Sequence, residues 1–526
     1  MKKYLLAFSF ALAVSSAFGQ GVVKGYVYED QNGNGRKDAG EKGIAGIAVS
    51  NGSDIVLTDA EGGYVLNIGD DDIIFVLKPA GYKTPLNAKN VPQFYYIHKP
   101  AGSAKLKFGG IAPTGQLPKS VDFALEKYDE PENFRFFAFG DPQIPAGGNA
   151  KAVQYFRKGI VEEANKIPGM SFGLTLGDMM DNNLSVCPMY LDAIAAMKLP
   201  WYSVIGNHDR DHDATSDAET DDTYEANFGP STYAFQYGRA NFIVLNNIIP
   251  LDLPGMLYTG GLRENQFKFI ENYLKLVPKE NILFIAFHIP LAYEPNQFRA
   301  EDRKRLFELL KDHTNAMILS SHTHAQMILY YGKEQGWDGP APFMEYNVGA
   351  TCGNWWSGRI GSDGMPYSLM ADGTPQGYAL FDVKGTRFTF DYQVAGKPAD
   401  YVMEITAPKV VPGGKTRAGT IYVNFFMGSP RDKVEYRIDD GEWKPMKFSN
   451  ALDPAMLNEI HQWDYTDVLI PGSRPRRESD VSLHLWQADL DGRLNRGTHT
   501  IEVRATDLFG RVHSSQHTYR IEKQLP

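Results

Sequence analysis

Five apolar segments in the middle of this chain each end in polar side chains of the types that bind metal ions. The segments are typical of buried strands, and they end in the sequences FGDPQ, LGDMMD, IGNHD, AFHIP and SSHTH. Because the carboxyl ends of parallel strands meet at one edge of a sheet, these polar groups are expected to converge. Each of them alone has an ordinary explanation, such as a turn, a helix cap or a buried histidine, but the five in this order predict one metal site. The candidate ligands are Asp141, Gln143, Asp178, Asn207, His288, His322 and His324.

The region from residue 134 to residue 397 alternates apolar strands with helical stretches, which is typical of an α/β domain. The helical patterns cover Ala150–Lys166, Pro188–Leu199, Glu264–Val277 and Glu301–Asp312. On both sides of this region the pattern is all-β, with short alternating strands broken by Gly, Asn and Asp. A chain of 526 residues is also too long for a single hydrophobic core. We therefore predict a central α/β domain over residues 134–397, between β-sandwich modules over residues 20–128 and 400–526.

The first residues have the pattern of a cleaved export signal. Lys2 and Lys3 precede the apolar run Tyr4–Val14, and Ala17 and Gly19 form a small-residue cleavage site. The run is shorter than the ~20 residues that a membrane span needs, and no second apolar span follows. We expect residues 1–19 to be a signal peptide. The mature protein would then be exported, in the periplasm, at the cell surface or secreted, without an integral membrane span.

The net charge and the cysteine content exclude two classes of protein. The formal net charge is −10, and an acidic chain has few basic side chains to neutralise phosphates, so no nucleic-acid partner is expected. Two cysteines cannot build a disulfide-stapled scaffold. A single bridge between Cys187 and Cys352 is compatible with export, and the sequence leaves open whether it forms.

The order of the five strand ends resembles the signature of the calcineurin-like metallophosphoesterase superfamily, which runs D-x-H, GD-x-x-D, GNH-D/E, H and GH-x-H. The resemblance covers Phe134 to about Gly349, and it is to exported bacterial multidomain members with β modules at both ends. It implies a double β-sandwich flanked by helices and a centre of two divalent metal ions bridged by Asp178. In this assignment Asp141, Gln143 and His324 complete the ligands of one ion, and Asn207, His288 and His322 complete those of the other.

The resemblance also implies a reaction and two catalytic residues. Metal-bound hydroxide would attack phosphorus and hydrolyse a phosphate mono- or diester of a small molecule, lipid or glycan. His208 would face the substrate and donate a hydrogen bond or a proton, and Asp181 would orient its imidazole. The alternative, from a different class, is a surface binding protein whose central domain is a catalytically weak scaffold.

Two departures from the family pattern, and one position that matches it, concern the metal ions. Gln143 stands where histidine is usual, and Ser321 replaces the usual glycine. An amide oxygen is a harder ligand than an imidazole, so Gln143 favours manganese or iron over zinc among the three candidate metals. Asp181 stands where a tyrosinate would bind iron(III), so a purple iron centre is not expected.

The loops after the last histidine block contain residues that could contact a substrate. Trp355 and Trp356 could stack on a sugar or base ring, or else cover the junction with the C-terminal module. Arg359 could pair with a phosphate, or else be an ordinary surface arginine. The acidic loop HDRDHDATSDAETDD, which begins at His208, is expected to be solvated and to repel long polyanions.

A second metal site is predicted in the N-terminal module, where DQNGNGRKDAGE has the spacing of a twelve-residue calcium loop. The oxygen donors would be Asp30, Asn32, Asn34, Asp38 and Glu41, with the backbone carbonyl of Arg36. The flanks are β-patterned, so the loop resembles the calcium loops of bacterial surface repeats with a prealbumin- or immunoglobulin-like sandwich, not an EF-hand. We expect a structural calcium ion; the alternative is an Asn-Gly turn between two strands.

Overall fold

The computed structural model describes residues 21–145, 150–292 and 297–523. The predicted signal peptide at residues 1–19 lies outside these described residues. Three β-rich regions follow one another along the described chain. Among the described helices, none is both long enough and apolar enough to cross a membrane.

The N-terminal region forms two four-stranded sheets, as its all-β pattern predicts. The strands are β1 (Gly21–Glu29), β2 (Ala48–Ser50), β3 (Ile55–Leu57), β4 (Gly63–Ile68), β5 (Asp72–Val76), β6 (Tyr82–Lys83), β7 (Tyr95–His98) and β8 (Phe123–Lys127). The strand orders are β4-β1-β8-β6 and β3-β2-β5-β7. In β1, Val23 and Val27 are buried, while Val22 and Lys24 face solvent, because side chains alternate between the two faces of a strand.

The central region contains a five-stranded and a six-stranded sheet. Its strands are β9 (Asn133–Phe139), β10 (Ile144–Pro145), β11 (Phe172–Thr175), β12 (Met180–Asp181), β13 (Trp201–Ser203), β14 (Tyr233–Tyr237), β15 (Ala240–Val244), β16 (Ile248–Pro250), β17 (Tyr258–Gly260), β18 (Ile282–Ala286), β19 (Ala316–Ser320), β20 (Met327–Tyr331), β21 (Phe343–Asn347), β22 (Gly358–Arg359), β23 (Gly377–Lys384) and β24 (Arg387–Val394). The two sheets have the orders β13-β11-β9-β23-β24 and β14-β15-β18-β19-β21-β20. In the first sheet β9, β11 and β13 are parallel, and in the second β15, β18, β19 and β21 are parallel.

Phenylalanine side chains join the two sheets of the central region. The ring of Phe136 on β9 lies 5.3 Å from that of Phe242 on β15 and 5.6 Å from that of Phe284 on β18. All three side chains are fully buried. Burying one such side chain contributes about 1.5–3 kcal/mol, so this aromatic layer holds the sheets face to face. The predicted double β-sandwich is confirmed.

Helices flank these sheets. The helices described in this region are α1 (Ala150–Tyr155), α2 (Glu162–Ala164), α3 (Cys187–Ala195), α4 (Asp222–Phe228), α5 (Glu264–Leu274) and α6 (Ala300–Leu310). A π-helical segment at Phe156–Val161 joins α1 to α2, so that together they occupy the stretch predicted as one helix. The predicted helices at α3, α5 and α6 are present with slightly different ends. Helix α4 was not predicted; it begins at Asp222, the last residue of the acidic loop.

The acidic loop is solvated only in part: Asp213 and Ser216 are exposed, as expected, whereas other acidic residues of the loop pack against the protein. Asp211 is 1 % exposed and accepts hydrogen bonds from the backbone N–H and the hydroxyl of Thr223. Asp222 is fully buried, and its carboxylate pairs with the ammonium group of Lys99 in the N-terminal region. The composition of the loop did not reveal these partners, because Lys99 lies far away in the sequence.

The ion pair between Lys99 and Asp222 is expected to stabilise the contact between the N-terminal and central regions. The Lys99 Nζ lies 2.7 Å from an oxygen of Asp222 and 2.8 Å from one of Asp71. Lys99→Met would leave the buried carboxylate of Asp222 without its cation, so we expect the free energy of unfolding to fall by about 3–5 kcal/mol. Urea denaturation followed by fluorescence measures this loss. Lys105→Met, at an exposed position, is the control and should change the value by less than ~0.5 kcal/mol. Equal midpoints for the two variants would contradict the prediction.

The C-terminal region forms two more sheets. Its elements are β25 (Met403–Thr406), β26 (Val410–Pro412), β27 (Gly419–Phe425), β28 (Lys433–Ile438), β29 (Lys444–Pro445), β30 (Lys447–Phe448), α7 (Pro454–Asp464), β31 (Gly472–Ser473), β32 (Leu485–Leu490), β33 (Gly497–Thr506) and β34 (Val512–Glu522). The sheet orders are β25-β27-β32-β30 and β26-β34-β33-β28-β29, which confirms the predicted sandwich. Helix α7 interrupts the all-β pattern. The Asp453 carboxylate caps it by accepting the N–H groups of Ala455 and Met456 at 2.8 and 3.0 Å.

Both cysteines are buried free thiols. The sequence left open whether a disulfide joins them, and the structure shows none between these two described residues. The Cys187 Sγ contacts the Met180 Sδ at 3.6 Å. The Cys352 Sγ lies 4.0 Å from the Gln143 Oε1, beside the predicted metal ligands.

Candidate metal centre

The predicted ligands lie just beyond the carboxyl ends of five parallel strands, and both sheets of the central region contribute. In the five-stranded sheet, Asp141 follows β9, Asp178 follows β11 and Asn207 follows β13. In the six-stranded sheet, His288 follows β18 and His322 follows β19. The sandwich therefore brings together side chains that are far apart in the sequence.

The His288 imidazole is at the centre of the cluster. Its Nε2 lies 3.2 Å from the Asp178 Oδ2, 3.2 Å from the Asn207 Oδ1 and 3.1 Å from the His322 Nδ1. Ligand atoms of Asp178, His288 and His322 all lie within 4.8 Å of one another. A single ring nitrogen cannot hydrogen-bond well to all these neighbours at once, whereas a metal ion can be shared by them.

Gln143 and His324 complete the cluster on the side of Asp141. The Gln143 Nε2 donates a hydrogen bond to the Asp178 Oδ2 at 3.2 Å, so the amide lies against this carboxylate with its nitrogen towards it. The His324 Nε2 lies 3.9 Å from the Asp141 Oδ1. The structure thus brings all seven predicted ligands into one cluster around the carboxylates of Asp141 and Asp178.

One carboxylate oxygen in this cluster fits a bound cation. The Asp141 Oδ1 is buried, and no described residue forms a hydrogen bond with it. The other oxygen, Oδ2, accepts hydrogen bonds from the Ser321 hydroxyl and from the His322 backbone N–H. Ser321, which departs from the family pattern, therefore supports a predicted ligand. A buried carboxylate oxygen without a partner is costly, and a metal ion on the Oδ1 would remove that cost.

Backbone carbonyl groups orient two of the histidines. The His288 Nδ1 lies 2.8 Å from the Leu176 carbonyl oxygen, and the His324 Nδ1 lies 2.9 Å from that of Gly353. A carbonyl oxygen only accepts, so each Nδ1 must carry the proton and donate. When such a ring is neutral, its Nε2 lone pair is directed into the cluster, as a metal ligand requires.

The backbone is strained at most of these positions. The residues in the left-handed region are Asp141 (φ 35°), Gln143 (φ 36°), Asp178 (φ 51°), His322 (φ 77°) and His324 (φ 50°). Residues other than glycine adopt this conformation at a cost of roughly 1–3 kcal/mol each. Such strain concentrates at functional sites, and here it turns successive side chains after a strand towards the same point.

The shifted pKa values describe the charges in the cluster. Burial lowers the pKa of His322 to about 3 and that of His324 to about 4, so both imidazoles are neutral at neutral pH. Burial would raise the pKa of Asp178, but the imidazoles of His288 and His208 outweigh it and hold that pKa well below its usual value. Burial works against a charge on His288 as well, yet Asp178 raises its pKa to about 9. The cluster therefore favours positive charge next to Asp178.

His208 and Asp181, the predicted catalytic pair, lie at the open side of the cluster. The His208 side chain is 23 % exposed, and its backbone N–H donates to the Asp178 Oδ1 at 2.9 Å. The His208 Nδ1 lies 3.6 Å from the Asp181 Oδ1. This distance is too long for a hydrogen bond, so Asp181 is adjacent to the imidazole without a hydrogen bond to it.

The three predicted substrate residues have different surroundings. The half-buried Trp355 ring stacks on the His324 imidazole, with centroids 3.9 Å apart, which places an aromatic surface at the metal centre. The prediction for Trp356 was wrong: its ring is 6 % exposed, and its Nε1 donates to the Pro142 carbonyl at 2.9 Å. Arg359 does not present a free guanidinium group, because its Nε donates to Glu459 on α7 at 3.0 Å.

Asp209 is a supporting residue that the sequence reasoning did not single out. Its carboxylate accepts the backbone N–H groups of Met179 at 3.2 Å, Met180 at 3.0 Å and Gly206 at 2.9 Å. It therefore ties the loop after β11 to the loop after β13, and with it the positions of Asp178 and Asn207. The signal was present, since this aspartate directly follows the GNH sequence.

Gly206 leaves the space that Asp178 occupies. A Cβ atom at Gly206 would lie 2.2 Å from both the backbone nitrogen and the Oδ1 of Asp178. Its φ of −106° suits any residue, so the effect of Gly206→Ala is purely steric. We expect the affinity for Mn²⁺ to fall about 10–100-fold as Asp178 is displaced, measured by metal titration. Gly332→Ala, whose Cβ would meet nothing closer than 4.0 Å, is the matched control. Unchanged affinity in Gly206→Ala would refute the prediction.

Comparison with known proteins agrees with this geometry. The model of the calcineurin-like phosphoesterase family matches residues 134–326, that of the N terminal of calcineurin-like phosphoesterase matches 31–110, and that of the C terminal of calcineurin-like phosphoesterase matches 345–513. No curated protein matches the chain.

Two solved structures show distant similarity. One is a purple acid phosphatase from yellow lupin (Lupinus luteus) seeds, with 13 % identity, a TM-score of 0.37 and coverage of 66 % of this chain and 67 % of that chain. The other is Vps29 from Chaetomium thermophilum, with 9 % identity, a TM-score of 0.19 and coverage of 74 % and 98 %. These scores are too low to support an argument, so the assignment rests on the family models, which match successive parts of the chain. The chain belongs to the calcineurin-like phosphoesterase family and is a metal-dependent phosphoric ester hydrolase.

Proposed function

We propose that this protein is an exported phosphoesterase that uses two divalent metal ions to hydrolyse a phosphate mono- or diester of a small molecule, lipid or glycan. The main support is the position of Asp178. Its Oδ2 lies 3.2 Å from Gln143 on one side and 3.2 Å from His288 on the other. Asp178 therefore contacts one predicted ligand of each ion, which supports a centre of two ions that share this carboxylate.

The residues of the chain have separate tasks in this reaction. A pair of divalent cations, when bound, lowers the pKa of a coordinated water and polarises the phosphoryl oxygens. Asp178 reduces the repulsion between two cations, while the neutral His322 and His324 add no negative charge that would repel an anionic substrate. His208, on the open side, donates a proton to the leaving oxygen, and Asp181 stabilises the protonated imidazole.

Hydrolysis of two aryl phosphates tests the function. Protein loaded with Mn²⁺ should hydrolyse para-nitrophenyl phosphate, bis-para-nitrophenyl phosphate or both, and the ratio of kcat/KM between them separates a monoesterase from a diesterase. Chelation of the metal should abolish the activity, and added Mn²⁺ should restore it. No turnover of either ester by metal-loaded protein would instead favour the surface binding protein.

We propose manganese or iron as the native metals, ahead of zinc, because Gln143 supplies an amide in place of an imidazole. Wild type and Gln143→His would be dialysed against equal concentrations of the three ions, and the bound metals measured by elemental analysis. The variant should bind a larger fraction of zinc. Identical metal ratios in the two proteins would refute this role of Gln143.

Export is supported by the sequence pattern of residues 1–19. Expression of the full chain with a C-terminal tag, followed by cell fractionation and N-terminal sequencing, should find processed protein outside the cytoplasm. Full-length protein in the cytoplasm would contradict the proposal.

We also propose a structural calcium ion in the N-terminal loop. The Asn32 and Asn34 Nδ2 atoms each donate to the Asp38 Oδ2 at 2.8 Å, and the Glu41 Oε2 accepts the Asp38 N–H at 2.9 Å. Three of the predicted side-chain donors therefore contact Asp38, while the Asp30 carboxylate accepts the backbone N–H groups of Gly33 and Gly35 at 2.8 Å. Calorimetry should detect one Ca²⁺ per chain in wild type and none in Asp38→Asn. Equal heats of binding for both proteins would rule out this site.

A further inference from the structure

A segment of the C-terminal region lies on the rim of the metal centre. This rim segment, Gly472–Asp480, begins with β31, which pairs with β22 of the central region. The Arg477 N–H donates to the Asn354 Oδ1 at 2.9 Å, and the Asn354 Nδ2 donates to the Arg477 carbonyl at 3.1 Å. The Asp480 N–H donates to the Ala371 carbonyl at 2.8 Å. The rim segment is therefore attached to the central region along its length.

Hydrogen bonds also connect the rim segment to residues next to the predicted metal ligands. The Arg477 Nη1 donates to the carbonyl of Thr323 at 2.7 Å, and Thr323 lies between His322 and His324 in the sequence. Asn354 follows Gly353, whose carbonyl accepts from the His324 Nδ1. The position of the rim segment is thus coupled to that of the ligand imidazoles.

Arg476 presents its guanidinium group towards the catalytic pair. Its Nη1 lies 3.6 Å from the Asp181 Oδ2, and the other oxygen of Asp181 lies 3.6 Å from the His208 Nδ1. The Arg476 side chain is 58 % exposed, and no described residue forms a hydrogen bond with its guanidinium group. Its N–H groups therefore remain available to a ligand in the cleft.

The neighbouring arginines differ from Arg476 in this respect. Arg474 is held by Asp464 at 2.7 Å and by Glu478 at 2.9 Å. Arg477 is held by Asp480 at 2.8 Å and by the Thr323 carbonyl. Of the three arginines, Arg476 alone combines exposure, proximity to His208 and unused donors.

We propose that Arg476 binds a second anionic group of the substrate, a phosphate or a carboxylate beyond the phosphoryl group that reacts. This inference rests on the proposed function and adds a substrate class to it: phosphate esters that carry another negative charge. Arg476 lies beside Asp181, Asp181 lies beside His208, and His208 lies beside Asp178, so we assign to Arg476 a group beyond the reacting phosphoryl group. A guanidinium group offers two parallel N–H donors, which match the two oxygens of a carboxylate or phosphate.

Binding of three phosphonates, which are not hydrolysed, tests this proposal. Propylphosphonate has no second anionic group, 3-phosphonopropionate carries a carboxylate, and ethane-1,2-bisphosphonate carries a second phosphonate. In calorimetry with Mn²⁺-loaded wild type, at least one of the two doubly anionic probes should bind about tenfold more tightly than propylphosphonate. The stronger of the two identifies the preferred group.

Variants test whether Arg476 causes the preference for doubly anionic probes. In Arg476→Gln the affinity of the doubly anionic probe, divided by that of propylphosphonate, should fall to about one. In Arg476→Lys, which keeps the charge, this ratio should lie between one and the wild-type value. Arg474→Gln, in the same segment but outside the cleft, should keep the wild-type ratio. A ratio of one in wild type, an unchanged ratio in Arg476→Gln, or no binding of any probe would overturn the proposal. If Arg476 only positioned Asp181, kcat would fall in Arg476→Gln while the ratio stayed constant, which also overturns it.

The binding ratio does not depend on turnover, so the two proposals fail separately. Wild type that prefers a doubly anionic probe but hydrolyses no phosphate ester would refute the proposed function and leave the role of Arg476 intact. Wild type that hydrolyses aryl phosphates without preferring such a probe would refute only the role of Arg476.

Discussion

Asp178→Asn is expected to lower kcat/KM for aryl phosphates at least about a thousandfold and to remove most of the bound transition metal. The amide has nearly the shape of the carboxylate, so the hydrogen bond from the His208 N–H to the Asp178 Oδ1 can persist. What is lost is the negative charge, which lies 3.2 Å from the His288 Nε2 and which the two proposed ions would share. Elemental analysis after dialysis and steady-state kinetics measure the two effects.

The control for Asp178→Asn is the same substitution at an exposed position of the central region. Asp192 on α3 is 60 % exposed and pairs only with Lys89 among the described residues. Asp192→Asn should keep both metal content and activity within about twofold of wild type, because surface ion pairs contribute little. If Asp178→Asn kept its full metal content, the shared position of this carboxylate in the metal centre would be refuted.

His208→Asn is expected to lower kcat about 10²–10⁴-fold while the metal content stays at its wild-type level. The His208 imidazole is 23 % exposed, and no ligand atom of His208 belongs to the group formed by Asp178, His288 and His322. A proton donor contributes most when the leaving oxygen is a poor leaving group. The loss should therefore be larger for an alkyl phosphate than for para-nitrophenyl phosphate, and the comparison uses the same enzyme preparation.

Asp181→Asn provides the matched comparison for His208→Asn. Because the Asp181 carboxylate lies 3.6 Å from the His208 Nδ1, we expect it to act through the imidazole, with a smaller loss of about 10-fold. In the double variant the loss should be no greater than in His208→Asn alone, since Asp181 has no proton donor left to assist. A loss of metal from His208→Asn in proportion to its loss of activity would identify His208 as a ligand instead.

The N-terminal module and the rim segment give the central domain support from both sides. Lys99 connects the first region to the buried Asp222, and Arg477 connects the last region to the carbonyl between two predicted ligands. Removal of either flanking region is therefore expected to affect the catalytic domain, since each supplies a charge or a hydrogen bond that the domain lacks.

The sequence by itself determined the location of the candidate metal centre and the types of its predicted ligands. Asp141, Asp178, Asn207, His288 and His322 each follow a buried strand within two to four residues, and parallel strands end at one edge. For this reason a local pattern of apolar residues followed by a polar group was enough to predict their convergence. Short-range periodicity of apolar residues was also enough to predict the alternation of strands with helices and the β pattern on either side.

Only the tertiary structure decided which other side chains take part, because their partners are distant in the sequence. From the sequence, Trp356 could be a surface residue, but in the structure it is buried and donates to the Pro142 carbonyl. Arg359 could likewise be free, but in the structure it donates to Glu459. Asp222 in the acidic loop is buried because Lys99, from another region, neutralises it. Arg476 lies beside Asp181 only because the C-terminal region folds back over the cleft. Burial and charge pairing across hundreds of residues are properties of the packed chain, and no local pattern encodes them.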